Sequence, residues 1–136
     1  MNSAPAARRT ALTAAGAFAL ALASAALADA ASALTRGAAV YAQYCVLCHG
    51  VEGKGDGRAA VMQKVPPADL TVSALSPEHR RNIVRLGGAG VGRSAGMPAW
   101  SEVLTEDEID DVLIYLDALT VRKLGHDADL AGVERP

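Results

Sequence analysis

The chain has 136 residues, with 13 Lys and Arg against 15 Asp and Glu, for a formal charge of −2. That slightly acidic balance excludes a nucleic-acid binder, which would carry a basic face. With 2 cysteines in all, a multi-bridge disulfide scaffold is excluded as well.

The first element is a leader. Arg8 and Arg9 form a positive segment, Thr10 to Leu22 an apolar run, and Ala26-Leu27-Ala28 a small-x-small cleavage pattern. Together they predict a secretory signal peptide over residues 1–28, with export to the periplasm. Ala28-Asp29-Ala30 offers a second cleavage point. The apolar run is short for a membrane span, which needs about 20 residues; a retained anchor is the alternative. Loss of Arg8 and Arg9 would take the formal charge from −2 to −4. The remainder reads as one domain over residues 29–125 and a polar, frayed tail over 126–136. Its large core candidates are Trp100, Tyr41, Tyr44, Tyr115 and aliphatic residues, since Phe18 lies in the leader. So small a core is marginal alone, and the chain is expected to fold poorly without a buried apolar cofactor.

The first helix of the domain is predicted from Leu34 to Leu47, with Gly37, Tyr41, Tyr44 and Cys48 on one face. His49-Gly50 ends it. It delivers Cys45-Val46-Leu47-Cys48-His49, the spacing of a c-type haem attachment site. Each thiol adds across one haem vinyl group, and the adjacent His49 supplies a ring nitrogen as proximal iron ligand. A zinc site would need two further ligands at metal-binding spacing, and no second Cys or His cluster exists. A thioredoxin-type pair would need a βαβ context, which the Gly-rich continuation lacks. Export agrees with attachment outside the cytoplasm.

A long irregular stretch, Val51–Leu75, follows. Ser76-Pro77-Glu78 then opens a second helix, a cap residue with proline at the first helical position. It runs through Ile83 and Val84 to Leu86 and stops at Gly87-Gly88. The next loop, Gly87–Leu104, carries Met97 between Gly96 and Pro98, where a thioether can approach the iron as sixth ligand. Met62, His79 and His126 are the weaker rivals. Gly90-Val91-Gly92-Arg93-Ser94-Ala95 resembles a dinucleotide fingerprint but follows a helix rather than a strand, so the match is accidental.

The third helix begins at a capping box, Thr105 with Glu108, with Glu106, Asp107 and Glu108 in its first turn. Ile109, Val112, Leu113, Leu116 and Leu119 give it one apolar face. No run alternates with period two, so the fold class is all-α: about three main helices and long loops wrapped around one haem. Arg80, Arg81, Arg85 and Arg93 cluster in one segment and Glu102, Glu106, Asp107, Glu108, Asp110, Asp111 and Asp117 in another. Such an arrangement reads either as a dipole that steers a partner or as two solvated helix faces.

Taken together, Gly37 and Tyr41 before Cys45-x-x-Cys48-His49, the Gly-Met97-Pro loop and a last helix with Ile114-Tyr115-Leu116 resemble a class I single-haem cytochrome c of the bacterial periplasmic type. The resemblance covers roughly Leu34 to Leu119. It implies that the first and last helices cross through Gly37, Tyr41, Val112 and Tyr115. It also implies a proline carbonyl, from Pro66 or Pro67, as acceptor for the other nitrogen of His49. Trp100 and Arg93 are similar to groups near haem propionates.

The expected function is electron transfer with transient redox protein partners, and no catalytic residue is assigned. The expected haem-binding residues are Cys45, Cys48, His49 and Met97, the last two on the iron. Alternatives are a haem subunit of a dehydrogenase or oxidase complex, an open-site haem enzyme such as a peroxidase, and a gas sensor.

Overall fold

The computed structural model describes residues 27–133, with side chains described to residue 123. The leader expected over 1–28 thus lies almost wholly outside the described residues. The chain divides into two compact units, Met1–Ser32 and Ala33–Pro136. Of the first, residues 27–32 are helical; the second carries the elements discussed below.

Helix α1 covers residues 27–44. A single turn at Cys45 separates it from α2, Val46–His49. The expected helix to Leu47 is therefore two pieces, although Cys45 N–H still donates to the Tyr41 carbonyl at 2.9 Å. Gly50, at φ 78°, ends α2, a left-handed conformation that glycine adopts without a side-chain clash. Two 3₁₀ turns follow, Ala60–Met62 and Leu70–Val72.

Helix α3 spans Pro77–Gly90, capped by Ser76, whose side chain accepts from the His79 N–H. Its helical path breaks at Gly87, φ 71° and ψ 172°, one residue after the expected end. Helix α4 spans Glu106–Val133. Its capping box is formed: Thr105 N–H donates to Glu108 Oε2 at 2.8 Å, and Glu108 N–H to Thr105 Oγ1 at 3.3 Å. The backbone stays helical past Leu119 and through most of the expected frayed tail, since no proline removes an N–H before Val133. No strand occurs among the described residues, and the fold is all-α.

The core gathers Val40, Tyr41, Val84, Leu104, Ile109, Val112, Leu116 and Leu119. It sits where α1, α3 and α4 meet, each contributing the apolar stripe read from its period. Gly37 lets α1 pass close to α4 at Asp111 and Tyr115, and the Tyr41 and Tyr115 rings pack at 5.1 Å. Beside that crossing, Arg36 holds the buried Asp111 carboxylate with two bonds, of 2.6 and 3.0 Å.

The two charge clusters prove to be partners. Arg81 pairs with Glu106 and Asp110, Arg85 with Glu106, and Arg80 with Asp117. They bind α3 to α4, so most of the expected dipole is neutralised internally.

Candidate functional site

Between the end of α2, the face of α3, the Met97 loop and α4 lies a cavity of about 820 Å³. Cys45, Cys48, His49 and Met97 all line it. Val84 of α3 and Val112 and Leu116 of α4 complete its wall, so core residues of two helices end on the same space. A cavity of that size with a mostly apolar wall and few polar groups is a cofactor site.

His49 is fixed in orientation. Its Nδ1 lies 3.0 Å from the Ala68 carbonyl. A carbonyl can only accept, so Nδ1 carries the proton and Nε2 keeps its lone pair. Burial lowers the His49 pKa, partly offset by that bond, and so favours the neutral, ligating form. The acceptor is Ala68 rather than Pro66 or Pro67. Gly55 packs directly on the Pro67 carbonyl, which leaves the next carbonyl in the chain to face the ring. Burial, and then the charge of Cys48, pushes the Cys45 thiol up to about 11.

Met97 is held at the cavity both by the backbone of α3 and by bonds within its own loop. Gly88 N–H donates to the Met97 carbonyl at 2.9 Å. A Cβ on Gly87 would come within 2.8 Å of that same oxygen and 2.7 Å of the Ala99 nitrogen. The Gly87-Gly88 pair, read from sequence as a helix stop, is thus also the floor on which the Met97 loop lies. Gly96 N–H is held by Ser94 Oγ at 3.1 Å, and Met97 N–H donates to the Ser94 carbonyl. The rivals fall elsewhere: Met62 is exposed, His79 is not in the cavity wall, and the His126 side chain lies outside the described residues.

Trp100 and Arg93 are in the wall, as the resemblance implied, and so is Arg80. Among the described residues, two buried side-chain nitrogens lack a protein partner, Arg80 Nε and Trp100 Nε1. An unmet buried donor costs about 1–3 kcal/mol, so a group bearing acceptors is expected to complete this wall. A haem fits on each count, as a large apolar plane with carboxylates at one edge. From sequence Arg80 reads only as one of a charge cluster, yet it shares a helical face with Ile83 and Val84, both in the wall. That i, i+3, i+4 pattern was the available signal.

Residues 32–116 match the family described as cytochrome c oxidase, cbb3-type, subunit III. Among solved structures, the chain is similar to one in the reducing HAO-like protein complex of Kuenenia stuttgartiensis. The identity is 27% and the TM-score 0.57, over 65% of this chain and 44% of that one. This chain thus corresponds to less than half the length of that relative. No curated protein matches. The match over residues 32–116 covers more than half of the chain, which therefore belongs to the cbb3-type cytochrome c oxidase subunit III family of c-type cytochromes, whose chemistry is haem-based electron transfer.

Proposed function

We propose that the protein is an exported single-electron carrier with one haem, bonded covalently through Cys45 and Cys48 and ligated by His49 and Met97. The observation that carries this reading is the convergence of those four side chains on one cavity. They come from two segments about 50 residues apart in the chain, and a haem is the group that uses all four. When bound, the haem supplies the one-electron chemistry. The chain's own residues do the rest. Ala68 orients the His49 ring through its 3.0 Å contact, the apolar walls from α3 and α4 exclude water, and the Gly88 bond holds Met97 in place. Thioether ligation favours the reduced state relative to two histidines and gives a comparatively high potential. On this reading the leader directs the chain to the periplasm, where the haem is attached.

A second form of the same reading makes the chain a subunit of a larger redox assembly. Both its family description and its structural relative refer to multi-component proteins. Size-exclusion of the protein from its native membrane and soluble fractions separates the two: a free carrier elutes alone.

The test of the haem site is an optical spectrum of the matured protein in both oxidation states, with and without carbon monoxide. A low-spin spectrum with the weak far-red sulfur-to-iron band and no carbon monoxide binding is expected. Met97→Ala should keep the covalent haem, lower the potential and admit carbon monoxide. An unchanged potential in that variant would overturn the axial assignment, and a high-spin wild type would bring the open-site readings forward.

A further inference from the structure

The 3₁₀ turn Ala60–Met62 packs on α2, the segment that carries Cys48 and His49. The Ala59 N–H donates to the Leu47 carbonyl at 2.9 Å, and the Gly57 N–H to the Cys48 carbonyl at 3.1 Å. The turn closes where the Gln63 N–H donates back to the Ala60 carbonyl, at 3.1 Å. Its side chains then run against the usual order. Val61 and Met62 are 91% and 82% exposed, while the polar Gln63 is half-buried and stands in the wall of the cavity. An amide turned inward beside two apolar side chains turned outward costs desolvation and forgoes apolar burial. Packing of the turn alone does not account for it.

What the amide meets is the Met97 loop. A Cβ on Gly96 would come within 2.4 Å of Gln63 Oε1 and 3.4 Å of its Cδ, so the amide lies directly over the Gly96 Cα. Gly96 is not among the glycines with positive φ; space, not backbone conformation, calls for glycine there. Its N–H is already held by Ser94 Oγ at 3.1 Å, and the Gln63 amide forms no hydrogen bond among the described residues. The contact is one of reach and shape. Gly96 directly precedes Met97, whose carbonyl accepts from the Gly88 N–H at 2.9 Å. The backbone at Met97 is therefore held twice: by α3, and by a side chain rooted on the segment that carries His49.

We infer that Gln63 is a positioning residue: its amide is a strut between the His49 segment and the Met97 loop, and it sets how long Met97 stays on the iron. The inference rests on the haem reading above and adds a residue that decides between a closed carrier and a centre open to small ligands. Gln63 acts through Gly96 and takes no part in electron exchange itself. Release of the thioether requires the loop to shift, and a loop backed by both α3 and the strut shifts less often.

Stopped-flow mixing of the oxidised holoprotein with excess imidazole reads that lifetime. Imidazole takes the sixth position once the thioether has left, the far-red band disappears, and at saturation the rate is that of Met97 release. Gln63→Ala should raise this rate about tenfold, the effect of about 1.4 kcal/mol in a barrier. Gln63→Asn, which keeps the amide but shortens its reach, should do the same. Gly96→Ala should match them, because its Cβ displaces the amide. The effects should not multiply: Gln63→Ala with Gly96→Ala should also stay at about tenfold, whereas independent sites would give about a hundredfold. Val61→Ala, in the same turn but turned to solvent, should leave the rate unchanged.

A wild-type release rate in Gln63→Ala or Gln63→Asn would overturn the inference, and so would multiplication of the effects in the double variant. An equal acceleration in Val61→Ala would overturn it too, by showing that only the stability of the turn matters. The wild-type spectrum keeps this failure apart from failure of the haem reading. If the far-red band is absent from the wild type, Met97 ligation is wrong and the role of Gln63 falls with it. If the band is present and the variants are silent, only the role of Gln63 falls.

Discussion

The backbone carbonyl of Asp111 fills the space in which a side chain on Gly37 would begin. Helices α1 and α4 therefore touch backbone to backbone at this point. The contact is flanked by the Arg36–Asp111 ion pair on one side and the Tyr41–Tyr115 ring contact on the other. Since α1 leads directly into the Cys45–His49 segment, this crossing sets where that segment lies relative to the α4 wall of the cavity.

Gly37→Ala should accordingly destabilise the protein by about 1–3 kcal/mol, the range for forcing extra volume into a packed contact. The obstructing atoms are backbone, not the flexible end of a side chain, so relief requires the helices to separate. Guanidinium unfolding of the holoprotein followed at the haem band measures it. A change below about 0.5 kcal/mol, the size of an ordinary surface substitution, would show that the crossing is looser than described.

Gly87→Ala should act on the distal side alone. At φ 71° an alanine is strained by about 1–3 kcal/mol, and its Cβ would crowd the Met97 carbonyl and the Ala99 nitrogen. The expected phenotype is loss of the far-red sulfur-to-iron band and gain of carbon monoxide binding, with covalent haem retained. Full retention of the band would mean that the Met97 loop does not depend on this close approach.

Tyr41→Phe removes one hydroxyl and leaves the ring. That hydroxyl donates to the Gly50 carbonyl at 2.6 Å in a buried setting, and burial raises its pKa well above the usual tyrosine value. The bond joins α1 to the turn that follows His49. Its loss should cost about 1–3 kcal/mol, because a buried carbonyl is left unmet. Thermal unfolding of the holoprotein reports it, and an unchanged midpoint would place water on that carbonyl instead.

Glu106 links the pH dependence to the α3–α4 contact. The Arg81 hydrogen bond, with the nearby Arg85 charge, holds its carboxyl below the ordinary 4.5. A depressed folded value means that the contribution is present above about 4.5 and is lost as pH falls through the folded value. The stability difference between wild type and Glu106→Gln should therefore be constant near neutrality and shrink below pH 4.5. Because the pair is exposed, the difference is small. Paired denaturant titrations at pH 7 and pH 3 check the sign, and a gap that widens in acid would contradict the ion pairing.

The helices were legible in the sequence because their signals are local. Thr105 and Glu108 stand in a capping box that the structure forms, and Ile109, Val112, Leu116 and Leu119 occupy the core that their period implied. What stayed hidden depends on contacts between distant segments. Nothing near Arg81 says that its partners are Glu106 and Asp110. The choice of Ala68 over Pro67 depends on where Gly55 packs. Gly87 and Gly88 read as punctuation, and only the fold shows them as a seat for Met97. The turn at Cys45 is a local break that helix propensity does not register, since the flanking residues are ordinary helix formers.

The two sides of the cavity are built on different length scales, and this has a consequence for assembly. Cys45, Cys48 and His49 are contiguous in the chain, so an attachment machinery can act on a short extended peptide before any tertiary structure exists. Met97 reaches the same cavity only once α3 has formed and Gly88 has bound its carbonyl. On the haem reading, the Cys45–His49 segment could be tethered before the chain folds, whereas Met97 could reach the cavity only in the folded chain. The Gly88 bond to the Met97 carbonyl would then be what holds the distal residue in place once a haem is bound.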